Sequence, residues 1–316
     1  MPELLQVVPE FHHRVWGGQQ LKPDLQKPYG EAWLVFERNK IKSGTFAGQT
    51  LEEVARVLGA ELLGAHALER TGTRFPLLIK ILDCADWLSI QVHPNDEQAI
   101  TLEGAGQFGK TEAWHVLDAK MGAELIAGVK SGTDAATLEK AIRDGSILNV
   151  SQKHVVETGA TVMMPAGTMH ALGPGFLIYE VQQTSDTTYR VWDWDRPASA
   201  GRALHIAQSV AVTNPNLTGQ INHNIMRALD GVETRVSCEY FELEEIHGTD
   251  TTINSNTENS SFHAITVTSG RAEVVLKEAR VILGKFETVI VPANAGEYRI
   301  EPLEPFIALR SSVPND

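Results

Sequence analysis

Apolar and polar residues alternate along Leu88-Ser89-Ile90-Gln91-Val92-His93-Pro94, the pattern of a β-strand. Leu88, Ile90 and Val92 face one way, as a packed core requires. Ser89, Gln91 and His93 face the other, and a hydroxyl, an amide and an imidazole on one face suit a site. Gly109-Lys110-Thr111-Glu112-Ala113-Trp114 repeats the device with Lys110 and Glu112. Met163-Met164-Pro165-Ala166-Gly167-Thr168-Met169-His170 delivers a histidine just after an apolar strand. Further strands are predicted over 4–8, 11–15, 31–36, 75–82 and 176–183, with a strand–turn–strand over 154–164.

Helical spacing of Leu51, Val54, Val57, Leu58 and Leu62 predicts a helix over 50–63, opened by a Thr50/Glu53 capping box. Shorter helices are predicted over 95–102, 133–143 and 204–212. Beyond about residue 225 the chain breaks into short strands and turns, the rhythm of a small antiparallel barrel or sandwich. Residues 161–170 align without gaps on 288–297, so an apolar strand followed by Pro-Ala occurs twice. The chain therefore reads as mainly β, with two related barrel units. Residues 1–225 carry the helices and a metal site. Residues 226–316, with Glu297 in place of His170, carry no metal.

Three positions admit two readings. Trp16-Gly17-Gly18 reads as a turn, where Trp16 either lines a pocket or anchors the core. Glu31 is either a pocket carboxylate or a charge at a strand start. Lys80 lies within an apolar run and must reach solvent or meet an anion, because an unpaired buried ammonium is costly. Residues 104–111 fit the G-x-x-x-x-G-K-[ST] phosphate-loop pattern. That motif works only between a buried strand and a helix N-terminus. Here a polar helix precedes it and a strand follows, so the nucleotide reading is rejected.

The chain has 316 residues, 42% of them hydrophobic, and a formal net charge of −13. That charge argues against nucleic acid and anionic membranes as partners. The two cysteines, Cys84 and Cys238, are too few for a disulfide scaffold and read as reduced thiols. No signal peptide or membrane span is evident, so a cytoplasmic protein is expected.

Gln91, His93, Glu112 and His170 are predicted to converge on one divalent ion, zinc or a related metal. A single anionic ligand would leave that centre a Lewis acid. Lys80, Lys110 and Ser89 form a second cluster able to neutralise a phosphate. Arg190 with Asp186 and Glu180 forms a third, which reads equally as a structural salt-bridge set.

The stretches 91–96, 109–112, 165–171 and 185–190 resemble the motifs of type I phosphomannose isomerases. Arg14-Val15-Trp16-Gly17-Gly18 and Gly30-Glu31-Ala32-Trp33 are similar to the short bacterial branch of that family. The resemblance runs in order from about residue 10 to 196, and the C-terminal third is similar only as a cupin. It implies two cupin-type jelly-roll barrels and a zinc-dependent enzyme that interconverts mannose 6-phosphate and fructose 6-phosphate through an enediolate. By the same resemblance Gln91, His93, Glu112 and His170 are the zinc ligands, and Arg190 is the catalytic arginine. Lys80, Ser89 and Lys110 contact phosphate, and Glu180, Asp186 and Lys110 are alternative proton shuttles. Longer members often carry an aromatic residue where this chain has Leu172, and a helical insertion that it lacks. The competing expectations are a cupin isomerase for another phosphosugar, such as glucose 6-phosphate, and a cupin that binds sugar phosphates without turnover.

Overall fold

The computed structural model describes residues 2–22, 27–197, 202–223 and 229–315. Antiparallel sheets dominate it, and short helices lie between the strands. The chain divides into two compact units, Met1–Phe11 with Ala32–Ile81 and Ile225–Asp316, and His12–Glu31 with Leu82–Asn224. The expected division at 225 falls outside the described residues. Residues 1–11 and 32–81 group with the C-terminal part, because Leu5–Val7 adds an edge strand to it by pairing with Thr288–Val291.

In that first unit, one sheet runs in the order Leu5–Val7, Thr288–Val291, His263–Ser269, Phe306–Ser312, Glu242–Gly248, Gly231–Ser237. The other runs Ile253–Asn256, Glu297–Pro302, Ala272–Leu276, Ala279–Leu283. Alternating apolar side chains, among them Ile246, Ile265, Val274, Val289 and Ile300, make one core. The predicted 50–63 helix forms with its Thr50/Glu53 capping box, but as two pieces, Leu51–Leu58 and Ala60–Leu63. Gly59, at φ +51°, ends the first turn-run by returning its N–H to Ala55.

The second unit is also a sandwich. Its five-stranded sheet is ordered Tyr189–Trp192, Ile90–Val92, His170–Leu172, Glu124–Val129, Ser151–Val155. Facing it are Gln220–Asn222, Thr161–Met164, Glu112–Ala119 and Phe176–Gln183, followed by this unit's parts of Leu77–Cys84, Glu10–Gly18 and Tyr29–Val35. Ile90, Val92, Ile126, Ala171 and Val191 pack on the outer face, under Leu138, Ala141 and Ile142 of the Ala135–Asp144 helix and Val212 of the Ile206–Val212 helix. Each large aliphatic residue buried there is worth roughly 1.5–3 kcal/mol. With those side chains outward, the pleat sends Gln91 and His170 to the inner face.

Part of the inner space is an apolar core that includes Trp16, Leu125, Val162, Leu172, Phe176 and Ile178. Leu88 joins this inner core, not the outer one, because the strand begins only at Ile90 and the alternation does not reach back to it. Trp16 is a core anchor at 4% exposure.

Candidate metal centre

The inner face holds a buried polar group in the second unit. His93 leaves the end of the Ile90–Val92 strand, Glu112 opens Glu112–Ala119, and His170 opens His170–Leu172. All three are buried, and their ligand atoms lie within 4.8 Å of one another. His170 is directly opposite Gln91 in the ladder, which fixes the fourth side chain beside it.

Two backbone carbonyls set the histidine tautomers. His93 Nδ1 donates to Thr187 O at 2.9 Å, and His170 Nδ1 donates to Thr168 O at 2.8 Å. A carbonyl can only accept, so each Nδ1 carries a proton and, in the neutral ring, each Nε2 presents a lone pair. Those lone pairs point the same way. His93 Nε2 lies 3.5 Å from one Glu112 oxygen, and His170 Nε2 lies 3.2 Å from the other. Lys110, also buried, brings Nζ to 3.1 Å from Glu112 Oε2. Even so, among the described residues His93 Nε2 and both Glu112 oxygens are buried without a hydrogen bond of good geometry. Two imidazoles and a carboxylate facing one another in a buried interior are the donor set a divalent cation satisfies.

Ionisation agrees with the geometry. Burial and the neighbouring Lys110 charge pull His93 down to about 3. Burial alone would raise Glu112, but Lys110, His93 and His170 outweigh it and hold the carboxyl well below its usual range. A neutral His93 imidazole and an ionised Glu112 carboxylate are the ligand forms that metals need. Gln91 turns its amide nitrogen to His170 Nε2 (3.3 Å), while its oxygen meets Ser89 Oγ (3.4 Å). As a fourth ligand it would present the oxygen, which a half-turn of the amide supplies.

Of the other predicted residues, Ser89 and Lys110 are buried at this group. Lys80 is buried on the Leu77–Cys84 strand, with Nζ 5.2 Å from the centre of the Trp33 ring, so its ammonium does not reach solvent. Arg190 is paired in register with Gln91, and its Nε is buried without a hydrogen-bond partner among the described residues. Burial and the like charge of Arg202 lower its affinity for its proton, against the opposing pull of Asp193. Glu180 is buried and accepts the Trp114 indole N–H at 2.9 Å. Trp114 in turn stands edge-on to His170, with ring centres 5.3 Å apart. Asp186 is exposed, and its charge reaches Arg190. Glu31 pairs with Arg14 through two contacts of 2.8 and 2.9 Å.

The phosphate-loop lookalike is no anion cradle. Gly109 N–H is taken by Asp96 Oδ1 (2.7 Å) and Thr111 N–H by Gln183 Oε1 (2.8 Å). A side chain at Gly109 would lie 2.6 Å from the backbone of Asn95, so that glycine serves packing. The residues that sequence reading passed over are the carbonyls of Thr168 and Thr187, which carry no side-chain signal, and His205. His205 fell inside the helix predicted over 204–212, and no local pattern marked its return to the strand.

Residues 4–110 match the family described as phosphomannose isomerase type I, catalytic domain. The mannose-6-phosphate isomerase of Streptococcus mutans is 32% identical over 314 residues, covering 95% of this chain and 96% of the relative. Mannose-6-phosphate isomerase ManA of Bacillus subtilis is 32% identical over 311 residues, 93% of this chain and 94% of that protein. The crystal structure of the mannose 6-phosphate isomerase from Bacillus subtilis superposes with a TM-score of 0.86 at 30% identity, covering 98% and 99% of the two chains. Likeness at that level along almost the whole length, on a cupin fold, makes this chain a member of the type I phosphomannose isomerase family.

Proposed function

We propose that this protein is a metal-dependent aldose–ketose isomerase that interconverts mannose 6-phosphate and fructose 6-phosphate in the cytoplasm. The observation that carries the reading is the inward-facing His93, Glu112 and His170, in which His93 Nε2 and both carboxylate oxygens have no hydrogen-bond partner among the described residues, in a buried site of a chain from this family. Zinc, held by these three and Gln91, is the ion we assign from the mixed nitrogen and oxygen donors. When bound, it would supply Lewis acidity toward the sugar oxygens at C1 and C2.

The chain's own groups do the rest. Lys110 and Ser89 neutralise and orient the phosphate. Arg190, brought beside Gln91 by strand pairing, offers an unused N–H donor to the negative charge that develops on oxygen as the C2 proton leaves. Asp186 is the exposed carboxylate near it, and we assign it the transfer of the proton between C2 and C1. Glu180 is engaged by Trp114 and acts instead on the ring packed against His170.

The deciding experiment measures fructose 6-phosphate formed from mannose 6-phosphate by protein whose metal content has been assayed, before and after chelation. Turnover that chelation abolishes and zinc restores is expected. Turnover untouched by chelation, or equal turnover of glucose 6-phosphate, would overturn the metal or the substrate respectively. Binding without any turnover would leave the purely sugar-phosphate-binding reading.

A further inference from the structure

Tyr189–Trp192 is the edge of the five-stranded sheet, so among the described residues the outward N–H and C=O of its residues have no further strand to pair with. At Arg190 a single residue fills that edge. Arg190 N–H donates to His205 Nδ1 at 3.1 Å, and His205 N–H donates back to Arg190 O at 2.8 Å. Since Arg190 N–H is spent on His205, its pairing with Gln91 is the non-hydrogen-bonded kind, in which opposed side chains stand closest. The contact that locks the edge thus also presses the Arg190 side chain toward Gln91.

We propose that His205 is a positioning residue for Arg190, holding it through the unprotonated Nδ1 of the Nε2–H tautomer. This rests on the isomerase reading in that it takes Arg190 to act on the sugar. An N–H can only donate, so the hydrogen bond exists only while Nδ1 is bare. Burial and the charge of Arg190 keep the imidazole below the usual histidine range, against a weaker opposing pull from Glu103, and so favour that form. His205 also sits at the N-cap of Ile206–Val212 but makes no side-chain capping bond, which leaves its ring to the strand. The Tyr189 ring, 6.1 Å from that of His205 and tied by its hydroxyl to Glu103 at 2.8 Å, backs the imidazole.

The test compares His205→Leu, which removes the acceptor at similar volume, with His205→Asn, whose Oδ1 sits where Nδ1 was. The His205→Leu protein is expected to keep its metal and its KM while kcat falls, up to about 100-fold, as misplacement of a charge-stabilising group by about 1 Å can cause. His205→Asn is expected to restore most of kcat. In amide exchange read by mass spectrometry, the peptide containing Arg190 should open faster in His205→Leu and stay protected in His205→Asn. Wild-type kcat and protection in His205→Leu, or equal damage in both variants, would overturn the proposal. If the unaltered protein fails to isomerise mannose 6-phosphate, the functional reading falls, and the exchange comparison still decides whether His205 holds Arg190.

Discussion

Each ligand of the candidate centre is set by a partner that is itself fixed. The carbonyls of Thr168 and Thr187 choose the tautomers, and Lys110 keeps Glu112 ionised. Replacing Glu112 by Gln keeps the shape but removes the one anionic donor and strands the buried Lys110 ammonium. Metal affinity should fall by more than the roughly 10- to 100-fold typical of losing an outer partner. Loss of the buried partner should also cost about 3–5 kcal/mol of stability. Elemental analysis together with urea unfolding checks both. A second residue, His263 in the first unit, gives a pH prediction. Arg310 donates to Tyr298 Oη at 3.2 Å, and Tyr298 donates to His263 Nδ1 at 2.7 Å, so the donors run one way and end on a neutral imidazole. Burial and the Arg310 charge bring His263 to about 3, below the 6.5 of an unperturbed histidine. The unfolded chain therefore binds the proton first. The stability this group contributes is intact above pH 6.5 and is lost as pH falls toward about 3, with a slope approaching about 1.4 kcal/mol per pH unit. His263→Gln should flatten the acid side of a plot of unfolding midpoint against pH; an unchanged slope would contradict the assignment.

The same residues show how much was legible beforehand. Gln91, His93, Glu112 and His170 could be read from the sequence because two of the strands carry polar side chains at alternate positions, and the pleat translates that spacing into one face. His205 could not, since its contact depends on a loop return that no local pattern encodes. Tautomers were invisible for the same reason: they are set by carbonyls of distant residues.

Strands and helices followed their sequence signals closely where the signal was periodic. Phe176–Gln183 spans the expected residues, and the Ala135–Asp144 helix begins after Asp134, whose side chain accepts Thr137 N–H. The clearest departure is at glycines. Trp16-Gly17-Gly18 was expected to turn, yet all three lie inside the Glu10–Gly18 strand. A Cβ on Gly17 would stand 2.5 Å from Gly30 N, and one on Gly30 would stand 2.6 Å from Arg14 Cβ. These glycines let two backbones approach, a demand that looks identical to a turn in sequence. Gly17→Ala, with backbone on the far side that cannot yield, should destabilise by about 1–3 kcal/mol or more. Chemical denaturation would measure it, and a neutral result would show that the strands can spread without penalty.

Over the whole chain, the repeat seen in the sequence survives as structure: Thr161–Met164 and Thr288–Val291 are both strands, and His170 and Glu297 each open the strand that follows. One copy ends in a buried imidazole, the other in an exposed carboxylate. The division of the chain was less legible, because an N-terminal strand completing a C-terminal sheet leaves no mark in local pattern. A cation that binds only the folded form stabilises it by about 2.7 kcal/mol at 100 times its dissociation constant. Calorimetry with zinc and with chelator should therefore show a metal-dependent rise in melting temperature, and amide exchange should trace it to residues 82–224. A uniform shift across the chain would contradict that. The other barrel is filled by apolar side chains. Starved of its ion, the protein should come apart first where buried ligand atoms go unanswered, while the apolar-filled barrel endures, so that metal-depleted preparations accumulate half-open molecules that a returning cation can still rescue.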